Sequence, residues 1–220
     1  MVNEEKYKEL KAYFNTRNVT LVAVSKLKSV EDIQELYDMG QRDFAENYVQ
    51  ELMDKQAVLP EDIRWHFIGH LQSNKVKYIA SFVHLIQSAD SEKLLKEIDK
   101  QAERHQRKIN CLLQVHIAEE QTKFGFSEGE LLNVSVHEYN HLTVSGLMGM
   151  ASFSDDKEKV GSEFNKLRAL QESLQLKGST LNVDPSTFNI LSMGMSDDYE
   201  TAISCGSNMV RIGSLIFGRR

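Results

Sequence analysis

Val19-Thr20-Leu21-Val22-Ala23-Val24-Ser25-Lys26 is a short, β-branched apolar run that ends on a serine and a lysine. Directly after it, Ser29 and Asp32 stand at capping-box spacing, and Gly40 closes the helix they open. Together these residues read as one strand, one polar turn and one helix, and the chain repeats that unit. Further strand-like runs lie at 43–45, 65–68, 83–86, 111–117, 144–148, 188–191 and 209–212. The run at 43–45 is the shortest of them and is flanked by Arg42 and Glu46. Between the runs, Ser127 with Glu130 repeats the helix-start signal, Gly206 ends a helix opening near Ser196, and longer helices are expected over 91–105 and 157–176. Ahead of the first strand, Tyr7, Leu10, Lys11 and Phe14 fall at helical spacing and predict a packed N-terminal helix.

Eight alternations of strand and helix, with strands apolar along nearly their whole length, imply a parallel sheet covered on both faces. A closed (β/α)₈ TIM barrel is the expected α/β fold. Such barrels take about 250 residues and can be as short as about 200, so a single domain would occupy residues 1–220. An open doubly wound sheet is the alternative, but no Gly-x-Gly-x-x-Gly follows the first strand. Residues 177–187 read as an exposed loop.

Composition narrows the function. The chain has 220 residues, 26 Lys+Arg against 32 Asp+Glu, and a formal net charge of -6, which offers a nucleic acid little phosphate neutralisation. Cys111 and Cys205 are too few for a disulfide framework and form no Cys-x-x-Cys pair. The N-terminus has no signal-peptide apolar region, and no apolar run reaches membrane-spanning length. The expectation is a soluble cytoplasmic protein with a small-molecule partner, neither nucleic acid nor membrane.

Strand-end residues supply the candidate chemistry. Period-2 alternation places Val22, Val24 and Lys26 on one face, with Lys26 at the C-terminal rim where barrel active sites lie. A lysine there is either a solvated strand end or, with its amine desolvated beside another cation, a Schiff-base former. After the seventh strand comes Ser192-Met193-Gly194-Met195-Ser196-Asp197-Asp198, and after the eighth Gly213-Ser214. Loops in those two positions form the recurrent phosphate cradle of this barrel. Ser196 could equally be an ordinary N-cap, and Gly213-Ser214 an ordinary turn. Asp197 and Asp198 would repel a phosphate they faced; complementing the helix dipole is their other role. Arg211, inside an apolar strand, alternates inward, where it needs either a carboxylate such as Glu46 or an acceptor on a ligand. His66 with His70, and His137 with His141, have i,i+4 spacing but lie in strand or loop contexts that do not favour a metal site.

A lysine, a phosphate cradle and an arginine on one rim are three fixed points that pyridoxal 5'-phosphate requires. The segments Val22-Ala23-Val24-Ser25-Lys26, Phe44-Ala45-Glu46-Asn47-Tyr48-Val49-Gln50-Glu51, Trp65-His66-Phe67-Ile68-Gly69-His70-Leu71-Gln72-Ser73-Asn74-Lys75, Ser145-Gly146-Leu147-Met148, Leu191 to Asp198 and Val210-Arg211-Ile212-Gly213-Ser214-Leu215-Ile216-Phe217-Gly218 resemble the pyridoxal phosphate homeostasis proteins. These are single-barrel relatives of fold-type III alanine racemase. The resemblance implies that Lys26 carries the cofactor as an internal aldimine, that Arg211 faces the pyridine nitrogen, and that Ser196, Gly213 and Ser214 hold the phosphate. It also implies that Asn47 and His66 line the pocket. The family commonly has threonine and glycine where this chain has Leu27 and Ala45, which bears on pocket shape.

Arginine opposite the pyridine nitrogen disfavours its protonation and weakens the ring as an electron sink. The racemases add a C-terminal β-domain with a tyrosine base, and this chain ends at Arg220 without one. The resemblance therefore implies a monomeric cofactor binder in vitamin B6 and amino-acid balance, without established turnover, whose partners include amino acids and PLP-dependent apoenzymes. A weak amino-acid racemase or lyase is the alternative, and a cofactor-free, class I aldolase-like barrel is a third reading.

Overall fold

Eight parallel strands lie edge to edge in chain order, and in the computed structural model the last pairs with the first, closing a barrel. The structure describes residues 2–118, 124–176, 181 and 183–218. The strands are β1 Thr20–Val24, β2 Asp43–Glu46, β3 Arg64–Phe67, β4 Leu85–Ala89, β5 Ile109–Val115, β6 Leu142–Gly149, β7 Ile190–Ser192 and β8 Met209–Ile212. All eight expected segments are strands, the short second one included. β4 begins two residues later than the apolar pattern suggests and runs on through Gln87 and Ser88, which are polar yet fully buried.

The helices are α1 Glu4–Asn15, α2 Val30–Asp38, α3 Val49–Gln56, α4 Glu92–Arg104, α5 Glu128–Leu131, α6 Lys157–Gln175, α7 Tyr199–Ser204 and α8 Ser214–Phe217. Local chemistry starts and stops them. Ser29 Oγ accepts the Asp32 N–H at 3.2 Å, and Gly40 leaves α2 with φ +88°. Ser127 and Glu130 form a complete capping box. One start differs from expectation. α7 opens at Tyr199 rather than near Ser196, because Asp198 Oδ1 takes the Met195 N–H at 2.6 Å and closes a separate turn first. In the expected loop at 177–187, residues 177–180 and 182 lie outside the described residues; Asp184 turns the remainder by accepting the Ser186 N–H.

Alternation sorts the apolar side chains into two clusters. Outward residues such as Phe44, Phe67, Leu113 and Val210 pack against Leu36, Leu52, Ile98 and Phe164 of the helices. Each such side chain contributes roughly 1.5–3 kcal/mol on full burial. Inward residues Val22, Ala45, Leu85, Leu112, Met148 and Met209 form a second, smaller cluster inside the barrel. That interior also holds His66, Gln87, Ser192 and Arg211, all buried. No helix among the described residues is long and apolar enough to cross a membrane.

Candidate cofactor site

The turn carrying Lys26 is clamped from below. The ladder between β1 and β2 continues one residue past the strand, through the Ser25 N–H to Ala45 O at 3.0 Å, and the Val24–Ala45 register brings Lys26 level with Asn47. Ser25 is fully buried, and its hydroxyl donates to Glu46 Oε1 at 2.6 Å. Lys55, reaching in from α3, donates to the Ser25 carbonyl (2.8 Å), Glu46 Oε1 (2.8 Å) and Glu51 Oε1 (2.7 Å). Glu51 Oε1 also accepts the Leu27 N–H at 2.5 Å, holding Leu27 at φ +59°. A non-glycine residue in that region costs of order 1–3 kcal/mol, so the carboxylate supports a backbone that would otherwise relax. Lys28 Nζ ties the far side of the turn to the Phe217 carbonyl at 2.8 Å. Burial raises the pKa of Glu46, against the opposing pull of Lys55 and Ser25. Lys26 itself is half-buried.

Loops from β7 and β8 close the opposite side of the same rim. Gly194 takes φ +97°, and a Cβ there would stand 2.6 Å from the Ala202 Cβ, so the loop after β7 needs glycine to lie on α7. Its carbonyl accepts the Arg211 N–H at 3.0 Å. Ser196 does not cap α7; its Oγ accepts the Gly213 N–H at 3.3 Å, joining the two loops. Gly213 packs so closely on Val24 that a Cβ would meet the Val24 carbonyl at 3.2 Å. Ser214 follows as the first residue of α8. Asp198 is turned onto the Met195 N–H, and burial raises its pKa. Lys26, Asn47, Ser196, Gly213 and Ser214 thus come together at one end of the barrel.

Arg211 lies just inside that end. It makes no pair with Glu46, whose cation is Lys55. Instead Nη1 donates to the Ser192 carbonyl (2.9 Å) and Ser192 Oγ (2.6 Å), and Nη2 to the Gly149 carbonyl (3.0 Å). Burial lowers its pKa to about 10, with Asp198 opposing the shift, so the guanidinium stays charged at neutral pH. Of its five N–H donors, Nε and one on Nη2 have no hydrogen bond to the described residues. Asn47 Oδ1 is likewise buried without a partner among them. His66 departs from the expected set. Its register with Ala45 sets it one inward layer below the rim, held between Asp43 and Gln87. There it lines a cavity of about 640 Å³ at the N-terminal mouth, with Asp43, Arg64 and His84. His70 pairs with Asp90 at 2.8 Å and stacks on Phe124.

The alanine racemase N-terminal domain family matches residues 4–220. A pyridoxal phosphate homeostasis protein of Pasteurella multocida is 40% identical over 209 residues, covering 92% of this chain and 87% of its own. One from Schizosaccharomyces pombe is 42% identical over 211 residues, covering 94% and 86%. The chain belongs to the pyridoxal phosphate homeostasis protein family. Among solved structures, PipY of Synechococcus elongatus without PLP superposes with a TM-score of 0.89 at 32% identity, covering 97% of this chain and 99% of that one. The same protein with PLP bound gives 0.85 at 31% identity, again covering 97% and 99%. An alanine racemase of Clostridium difficile shares the fold alone, with a TM-score of 0.75 at 13% identity, and this chain covers 100% of itself but 58% of the racemase. Pyridoxal phosphate homeostasis proteins therefore match this chain along nearly its whole barrel.

Proposed function

We propose that this chain binds pyridoxal 5'-phosphate at the C-terminal rim through Lys26 and acts in vitamin B6 homeostasis, holding and releasing the cofactor without turnover of its own. The observation that carries the reading is the Lys26 turn itself, locked by Glu46, Glu51 and Lys55 and facing loops that end on Ser196, Gly213 and Ser214. A PLP-bound relative of the same fold supports it. When bound, the cofactor supplies an aldehyde and an electron-accepting ring. The Lys26 amine would be the group that holds the cofactor's aldehyde end, and Ser196 with the backbone at Gly213 and Ser214 would hold its phosphate. The spare N–H groups of Arg211 fit the ring nitrogen as an acceptor, and Asn47 Oδ1 fits a donor at the ring edge. The Met195 N–H holds the Asp198 carboxylate within its own turn.

A charged Arg211 facing the ring nitrogen would disfavour its protonation and so weaken the ring as an electron acceptor. The reading implies a cytoplasmic monomer that exchanges the cofactor with PLP-dependent apoenzymes and meets free amino acids. Its test is α-proton exchange of L-alanine in deuterated water with the PLP-loaded protein. Exchange no faster than with free PLP is expected, and a turnover of many equivalents per minute would make the chain an enzyme.

A further inference from the structure

Beneath the candidate site, hydrogen bonds between buried side chains run in one unbroken line through the barrel. Arg211 Nη1 donates to Ser192 Oγ (2.6 Å), and Ser192 Oγ donates to Gln87 Oε1 (2.6 Å). Gln87 Nε2 lies 2.9 Å from His66 Nδ1, and His66 Nε2 lies 3.1 Å from Asp43 Oδ1. Asp43 is paired with Arg64, which donates from Nε at 2.7 Å and from Nη2 at 2.5 Å. The line passes from β8 through β7, β4 and β3 to β2, from the cofactor rim to the cavity at the N-terminal mouth.

Its two ends fix its direction. A guanidinium only donates, and an ionised carboxylate only accepts. Arg64 and His66 hold the Asp43 carboxyl well below the usual carboxylate range, against its burial, so it is the ionised form that terminates the line. Ser192 Oγ accepts from Arg211 and donates to Gln87 Oε1. The Gln87 amide N–H then faces His66 Nδ1, which must be the bare nitrogen. His66 therefore carries its proton on Nε2 and gives that hydrogen bond to Asp43. Turning the Gln87 amide over would take away the acceptor of the Ser192 hydroxyl proton and set the amide oxygen against His66 Nδ1.

We infer that Ser192, Gln87 and His66 are positioning residues for Arg211, so that the aim of the guanidinium toward the cofactor ring is set by a one-way hydrogen-bond line anchored on Asp43 at the opposite mouth of the barrel. No carboxylate among the described residues is hydrogen-bonded to Arg211, whose partners are two carbonyls and the Ser192 hydroxyl. The bond dipoles of the line all point their negative ends toward the arginine and polarise one another in a dry interior. With Nη1 held by Ser192 and Nη2 by Gly149, the Nε–H and one Nη2–H are left for the ring. The inference rests on the proposed placement of the cofactor ring against Arg211.

Two measurements test it. In the cofactor-free protein, ¹⁵N NMR of His66 should give a bare Nδ1 and a protonated Nε2, and Asp43→Asn should mix the two tautomers; a protonated Nδ1 in the native protein overturns the line. In the PLP-loaded protein, Gln87→Leu should raise the PLP dissociation constant about tenfold, the loss expected of one buried bond, and shift the visible band. Asp43→Asn, far from the cofactor, should raise it severalfold with the same direction of shift. If both variants fold yet bind PLP with native affinity and an unmoved band, the positioning role fails. Should Gln87→Leu not fold, Asp43→Asn and the tautomer decide. Failure of the native protein to take up PLP would refute the proposed function instead, and the tautomer measurement would still decide the line.

Discussion

Replacing Lys55 by methionine keeps the length of the side chain and removes the cation that pairs with both Glu46 and Glu51. Glu46 is 0% exposed and the Lys55 side chain 6%, so neither charge can turn to water. Breaking a buried ion pair by removing one partner costs about 3–5 kcal/mol, because the remaining charge is left uncompensated. Glu46 has an escape, which is to take up a proton. Its folded-state pKa is already raised by burial, and losing Lys55 raises it further. A group whose folded pKa lies above its unfolded value binds more protons in the native state, so stability falls as pH rises through that window. Lys55→Met should therefore be destabilised by about 3–5 kcal/mol at pH 8 and clearly less at pH 5. Urea unfolding of both proteins across pH 5 to 8 measures this. A difference below about 1 kcal/mol, or one that does not change with pH, would refute the claim that Glu46 and Lys55 form a desolvated pair supporting the Lys26 turn.

Other consequences can be checked as directly. Gly69→Ala places a Cβ 2.1 Å from the Asn47 carbonyl and should cost about 1–3 kcal/mol or more in thermal melts, whereas Gly129→Ala, with nothing within 4 Å, should be neutral or stabilising. Asp43 has a depressed pKa, so its stabilisation is present above the unfolded carboxylate pKa and is lost as pH falls below about 4. Asp43→Asn should accordingly flatten the acid limb of the stability profile, and an unchanged limb would contradict the pairing. Cys111 and Cys205 are buried, and burial pushes the Cys111 thiol up, so a thiol reagent at pH 8 should label both only in denaturant.

The fold was legible because its signals are local. Apolar runs, the Ser29 and Ser127 caps and the closing glycines each lie within one βα unit. Lys26, Ser196 and Gly213-Ser214 were legible for a related reason: they stand just beyond strand ends, and strand ends of one hand share one rim. Height within the barrel is different. Alternation says that His66 points inward, but its layer depends on the stagger between β2 and β3, which no single segment encodes. Gln87 was hidden because a polar residue interrupts an apolar run, and its partner Ser192 lies 105 residues away in sequence. Glu51 and Lys55 stand four residues apart, a spacing that by itself marks no more than a pair on one helix face. Their burial appears only when α3 packs under the β1 turn.

Cofactor binding is proposed to run through Lys26. Borohydride reduction of the PLP-loaded protein, followed by peptide mass analysis, tests it most directly. Loss of the visible band and a phosphopyridoxyl group fixed on Lys26 are expected, with neither in Lys26→Ala. Cofactor trapped on another lysine, or a band unaffected by the substitution, would contradict it.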